Sequence, residues 1–259
     1  LRLMHVGPLT RTVCDAAMAM SIIAGPDGVD HYSMPVPVLP FQDMEVSLPR
    51  LRVGWCTNEP FTPVAAEVRE VVVKAATALD QLGCEVRPVS LSNWDRCQPQ
   101  NTSMIIYAVE SDLYLDSIIA GRDDDLSPAL RRRLSAPKPS MCEYQKALAY
   151  CEQFRREVLQ YFTEYDLLLC PTTIVPAHSH NSIELNVDGQ KVDGRNALRA
   201  TIPFDLTGSP AISVPFGWSS DGLPIGVQLV GRHFDESTLL HVASALEALH
   251  SVKRFHPPI

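Results

Sequence analysis

Apolar positions along the 259-residue chain recur with two periods, and the changes of period divide it into elements. Val13, Ala16, Ala17, Met20 and Ile23 repeat at helical spacing, behind Thr12 with Asp15 three residues on, until Gly25-Pro26 stops them. Residues 31 to 49 carry Pro35, Pro37, Pro40 and Pro49, which withhold backbone donors, so a surface connection is predicted there. Leu51 to Cys56 alternates like a strand. Val64, Val68, Val71, Val72, Ala75 and Leu79 then mark one helical side before Gly83, and Cys84 to Val89 reads as the next strand. Strand, helix and strand with short turns make a βαβ unit, hence a parallel pair with a right-handed crossover.

Helices are predicted over 101–120 and 141–163, the second long and amphipathic. Asp166 to Cys170 is apolar at its centre, the mark of a strand buried on both faces, and it is expected to stop at Pro171. Ligands in open α/β sheets sit beyond the carboxyl ends of strands, which makes Thr172, Thr173 and Ile174 candidate pocket residues by position. The competing reading has the two threonines satisfying backbone groups of the turn. An irregular stretch with a tight turn at Asp188-Gly189 follows, then a short helix over Arg195 to Thr201 running toward Pro203. Thr207-Gly208-Ser209-Pro210 reads as a turn in which Gly208 takes positive φ. Residues 211–215 and 225–230 form an antiparallel pair around Asp221-Gly222, and a helix with Leu239, Leu240, Val242, Ala243, Leu246 and Leu249 follows.

Composition narrows the class. A chain 46% hydrophobic and 20% charged is ordinary for a globular domain, and its apolar runs fall short of the roughly 18 residues of a membrane span. A soluble protein without a membrane partner is expected. The net charge of −8 supplies no field for phosphate backbones, and Arg131-Arg132-Arg133 reads as a solvated helix face near Asp123-Asp124-Asp125, so nucleic acid is not an expected ligand. Seven cysteines, with no Cys-x-x-Cys, fit small buried thiols in a reducing cytoplasm better than a disulfide framework. His178 and His180 fall in a loop with no Cys or carboxylate close in sequence to complete a metal site.

Catalytic groups are hard to find. The chain has no Gly-x-Ser-x-Gly elbow, no Gly-rich phosphate loop and no His-Glu-x-x-His. Ser209 and Ser213 are each held in a turn or strand with no Lys or His near in sequence to act as base, so they read as structural.

Four blocks, in order, carry a resemblance. They are His5 to Ala17, Tyr165 to Thr173, Thr201 to Pro215 and Gly222 to Gly231, and together the chain resembles the C-terminal part of amidase signature hydrolases. The resemblance implies an α/β fold with helices around a mixed β-sheet, incomplete at its N-terminal side, with residues 1–259 forming the C-terminal portion of a single amidase-like domain. It implies serine-dependent hydrolysis of carboxamides, or esters, through an acyl-enzyme. An upstream Lys would deprotonate a bridging Ser that activates the nucleophilic Ser, and none of these three is matched within the sequence. The chain opens at Leu1 on a short apolar run without an initiator Met, so a boundary inside a longer protein is expected, with no catalytic residue here and no activity for the chain alone.

What the resemblance carries over is a pocket wall: Ile202 and Leu206 at positions facing the acyl chain, and Thr172 and Thr173 in the loop after the central strand. Asp205 stands where the family often has Asn. Leu198 stands where tRNA amidotransferase A subunits place a carboxylate for the substrate ammonium, although Arg132 matches their carboxylate-binding Arg. An amide hydrolase with an apolar acyl pocket is therefore favoured over the A-subunit glutaminase. The expected partners are a small-molecule amide and the missing N-terminal part of the same protein, a homodimer is compatible, and no cofactor is implied. A non-catalytic binding module that keeps the fold stays open. A nucleotide-binding enzyme would need a glycine fingerprint where Thr57-Asn58-Glu59-Pro60 follows the first strand.

Overall fold

The computed structural model describes residues 2–35, 48, 51–180 and 182–249, and most of the expected 31–49 connection lies outside them. The first helix, α1 (Val13–Ile23), starts where the sequence places it, with the Asp15 amide donating to Thr12 Oγ1 at 3.0 Å. β1 (Arg52–Trp55), α2 (Ala66–Gln81) and β2 (Glu85–Pro88) form the expected βαβ unit, its two strands paired in parallel, with Gly83 at φ 93° closing the helix. No side chain of its own neighbourhood caps α2. Asp188 does so from far along the chain, accepting the Ala66 amide at 2.9 Å.

α3 (Pro99–Ile119), α4 (Pro128–Leu134) and α5 (Met141–Glu164) follow, and α4 carries the three arginines in its last turn, where cations suit the helix dipole. β3 (Leu167–Pro171) is buried at every position. It pairs in parallel with β1 and antiparallel with β7 (Pro224–Gly231), and β7 pairs with β6 (Ala211–Trp218), giving the order β2-β1-β3-β7-β6. This is a mixed sheet flanked by helices, as expected. One face carries α2 and α7 (Glu236–Leu249); on the other, α5 brings Tyr161 over Gly54, its hydroxyl donating to the Leu167 carbonyl at 2.9 Å.

Four details differ from the sequence expectation. Pro171 is the last residue of β3, opposite Val227, and does not stop the strand before itself. The irregular stretch contains a hairpin, β4 (Glu184–Val187) and β5 (Gln190–Asp193), turned by Asp188 at φ 52° and Gly189 at φ 90°. The single helix over 195–201 is instead a 3-10 turn, Gly194–Leu198, followed by α6 (Ile202–Thr207). Pro203 explains the break, because proline is tolerated only in the first turn of a helix, so α6 has to begin beside it. β6 also runs past Pro215, through an irregularity before Gly217; as an edge strand it can hold a residue with no amide to donate.

Asp166 ties the sheet together at the start of β3. Its carboxylate accepts from the Arg52 amide at 2.8 Å, from Arg52 Nη2 at 3.0 Å and from Arg232 Nη2 at 2.6 Å. Partial burial opposes its ionisation, but the Arg52 hydrogen bonds and the Arg232 charge outweigh this and hold the carboxyl below its ordinary range. Asp166→Asn is expected to cost about 1 to 3 kcal/mol at neutral pH, less than for a fully buried pair because both arginines meet solvent. A depressed pKa gives stability that is complete above the unfolded value of about 4 and fades as pH falls through the folded one. Urea midpoints of the two proteins should therefore converge on acidification, and a gap that persists in strong acid would contradict the assignment.

Candidate functional site

At the carboxyl end of β3 the chain bends and presents Thr172. Its Oγ1 lies 2.8 Å from Ser213 Oγ on the exposed face of β6, and Gly226 on β7 keeps the space beside the pair open. A Cβ there would stand 2.7 Å from Ser213 Oγ. Thr173 Oγ1 donates to the Val175 carbonyl at 2.7 Å, so this side chain takes the turn-satisfying role, and Ile174 is fully enclosed.

Gln228 connects this end of the sheet to α6. Opposite Ser213 in the β6–β7 register and buried, it donates from its amide to the Ala200 carbonyl at 2.9 Å and the Pro171 carbonyl at 3.3 Å. β3 and the approach to Ile202 are thus set by one side chain. Ile202 is half-buried at the start of α6, whereas Leu206 is fully enclosed, with its carbonyl accepting from Arg155 Nε at 2.9 Å. Of the five candidate wall residues, Thr172, Thr173 and Ile202 reach solvent, and Ile174 and Leu206 are fully enclosed. Asp205 meets His5 Nδ1 at 3.2 Å.

From α6 the surface continues into two adjoining cavities. One of about 440 Å³ is walled by Pro203, Arg199, Gln98 and Asn101. The other, about 1180 Å³, is a groove between α3, α4 with the residues after it, and the β4–β5 hairpin; Asn101, Met104, Asp193 and Arg195 line both. Arg195 holds the Asp193 carboxyl at about 2 through side-chain and backbone hydrogen bonds. The groove was missed in the sequence. Its only signals were apolar Met104 and Tyr107 on one side of α3 and the alternation of Leu185 and Val187 around Asp188-Gly189.

Nucleophiles are no easier to find in three dimensions. Ser209 Oγ pairs with Thr207 Oγ1 at 2.8 Å, inside the protein, and Ser213 pairs with Thr172; among the described residues neither hydroxyl bonds to Lys or His. All seven cysteines are free thiols, and burial pushes Cys56, Cys84, Cys97, Cys151 and Cys170 up, away from the thiolate form a nucleophile needs. Among the described residues no His, Cys, Asp or Glu group of three or more is placed to hold a metal ion, and no helix is long and apolar enough to cross a membrane.

The model of the amidase family matches residues 1–240. The chain belongs to the amidase signature family. Putative amidase AmiD of Mycobacterium tuberculosis is 30% identical over 258 residues, which are 98% of this chain and 53% of that protein. The A subunit of glutamyl-tRNA(Gln) amidotransferase from Geobacillus thermodenitrificans is 30% identical over 274 residues, 94% of this chain and 54% of the subunit. Among solved structures, 6-aminohexanoate cyclic dimer hydrolase complexed with substrate is 26% identical with a TM-score of 0.78, over 96% of this chain and 55% of that one. A bacterial aryl acylamidase of the amidase signature enzymes shares the fold, with a TM-score of 0.82 at 24% identity over 96% of this chain and 53% of its own. The chain therefore spans about half the length of the amidase relatives it matches.

Proposed function

We propose that this chain is the C-terminal portion of a single amidase domain, and that it supplies sheet and pocket wall to a serine-dependent amidase working through an acyl-enzyme. The observation that carries the reading is the half-length match to amidases, taken with a β6 whose outer edge has no strand partner among the described residues and which exposes Ala211, Ser213 and Pro215 on one face. An edge strand of eight residues with an uncovered face suits further chain packing against it. The Lys, bridging Ser and nucleophilic Ser belong in this reading to that further chain, and the partners are it and a small-molecule amide. Free thiols suit a cytoplasmic setting.

In the wall, Ile202 and Thr172 meet the substrate while Ile174 and Leu206 stay enclosed. A β-branched side chain at Ile202 makes a stiff apolar surface, and its neighbouring cavities leave room for a long acyl or amine arm. The A-subunit glutaminase is the weaker reading, because Leu198, exposed at the position expected to hold an ammonium-binding carboxylate, offers no charge.

The wall is tested in the complete enzyme by Ile202→Ala. Turnover of long or aromatic acyl amides should lose roughly 1 to 3 kcal/mol of transition-state binding, with small amides little changed. If Ile202 is core packing instead, the substitution costs roughly 2 to 5 kcal/mol of stability and leaves the ratio of kcat/KM for long and short amides unaltered.

A further inference from the structure

The large groove has a chemical character that the amidase reading does not specify. Its lining is mainly apolar, with Met104, Tyr107 and Ala108 from α3, Pro137 after α4, Ile183 just before the hairpin and Val192 of β5. Tyr107 is 40% exposed, enough for a ligand to reach its ring. The ring is also fixed: the Arg133 guanidinium stands over it, Cζ at 4.2 Å from the centroid, and the same guanidinium bonds to the hydroxyl of fully buried Ser111, which in turn bonds to the Tyr107 carbonyl at 2.5 Å. A flat aromatic surface held this way loses little entropy when a second ring stacks on it.

Charge points the same way. Five cationic and three carboxylate side chains line the groove, on a protein whose net charge is −8. Lys138 pairs with Asp112, Lys191 with Glu184 and Arg195 with Asp193, which accounts for all three carboxylates. Among the described residues Arg132 and Arg133 have no carboxylate partner. The groove thus joins an apolar, aromatic wall to a local surplus of positive charge, on an acidic molecule.

We propose that the groove binds a planar aromatic molecule bearing a carboxylate, with its ring against Tyr107 and its charge toward the Arg132 and Arg133 end. Under the amidase reading, on which this step rests, the bound group is the distal arm of the amide, so the substrates are amides of aromatic, anionic character.

The test is binding to the complete protein that carries this chain, with ligands that have no amide to turn over, so it can fail or succeed independently of the amidase reading. Calorimetric titration should show saturable binding of 2-naphthoate, with affinity about tenfold above that of uncharged 2-naphthalenemethanol. It should also exceed that of the saturated decalin-2-carboxylate about fivefold or more. Tyr107→Phe should keep the affinity and Tyr107→Leu should lose about tenfold; Arg132→Gln with Arg133→Gln should abolish the preference for the charged ligand. Should Tyr107→Leu fail to fold, the planar-to-saturated ratio on the unaltered protein decides the same point. No saturable binding, equal affinity for the three ligands, or affinity untouched by Tyr107→Leu in a folded protein overturns the proposal.

Discussion

Gly54→Ala should destabilise the protein by roughly 2 to 5 kcal/mol, far more than a methyl group on a strand ordinarily costs. The reason is the neighbour. A Cβ at Gly54 would overlap the Tyr161 hydroxyl and come within 2.9 Å of Val89 Cγ1, in a part of the core where Tyr161 is 9% exposed. Tyr161 cannot swing away without giving up its bond to the Leu167 carbonyl and its edge-to-face contact with Trp94 at 5.8 Å. Overpacking of about 1 to 3 kcal/mol and a lost buried hydrogen bond of about 1 to 3 kcal/mol then act together. Because the hydroxyl is the obstacle, Gly54→Ala should cost less when combined with Tyr161→Phe than on its own. Denaturant midpoints for the two single variants and the double variant measure this, and strictly additive losses would refute the contact as the cause.

Gly54 also marks a limit of reading sequence. A glycine within Leu51 to Cys56 weakens a strand assignment, and only the approach of a tyrosine from α5, more than a hundred positions along, explains it. The strands and helices themselves were legible where one face repeats: α2 through Val64 to Leu79, β3 through its unbroken apolar centre, and the β6–β7 pair through Asp221-Gly222. Local chemistry was legible too, as at Thr12 and Gly208, whose φ of 72° closes α6. The β4–β5 hairpin was not, since two inward residues, Leu185 and Val187, are too few to establish a period against polar flanks.

The candidate site divides along the same line. Position beyond a strand end singled out Thr172 and Thr173 correctly as loop residues, but whether Ile174 and Leu206 face a pocket or the core depends on what packs over them, which no spacing reveals. The groove was illegible for the same reason, being assembled from Tyr107, Arg132 and Val192 on three separate elements. Likewise Gln228 sits in β7 as one polar residue in an apolar strand, and only the fold shows that it joins Pro171 to Ala200.

The second large effect concerns chemistry. In serine hydrolases, loss of the nucleophile typically removes on the order of 10⁶ in kcat, so a chain without one should show no turnover above background. Here Ser209 and Ser213, the two serines inside the family blocks, are engaged with threonine hydroxyls, at 2.8 Å each, and no described Lys or His bonds to either. For the five buried cysteines a thiol substitute is disfavoured, because burial raises Cys56, Cys84, Cys97, Cys151 and Cys170. Treating the purified 259-residue chain with a serine-directed fluorophosphonate and weighing the intact protein tests this directly. An unchanged mass, with the complete enzyme labelled under the same conditions, is the predicted result; a stoichiometric adduct on any serine of this chain would contradict it.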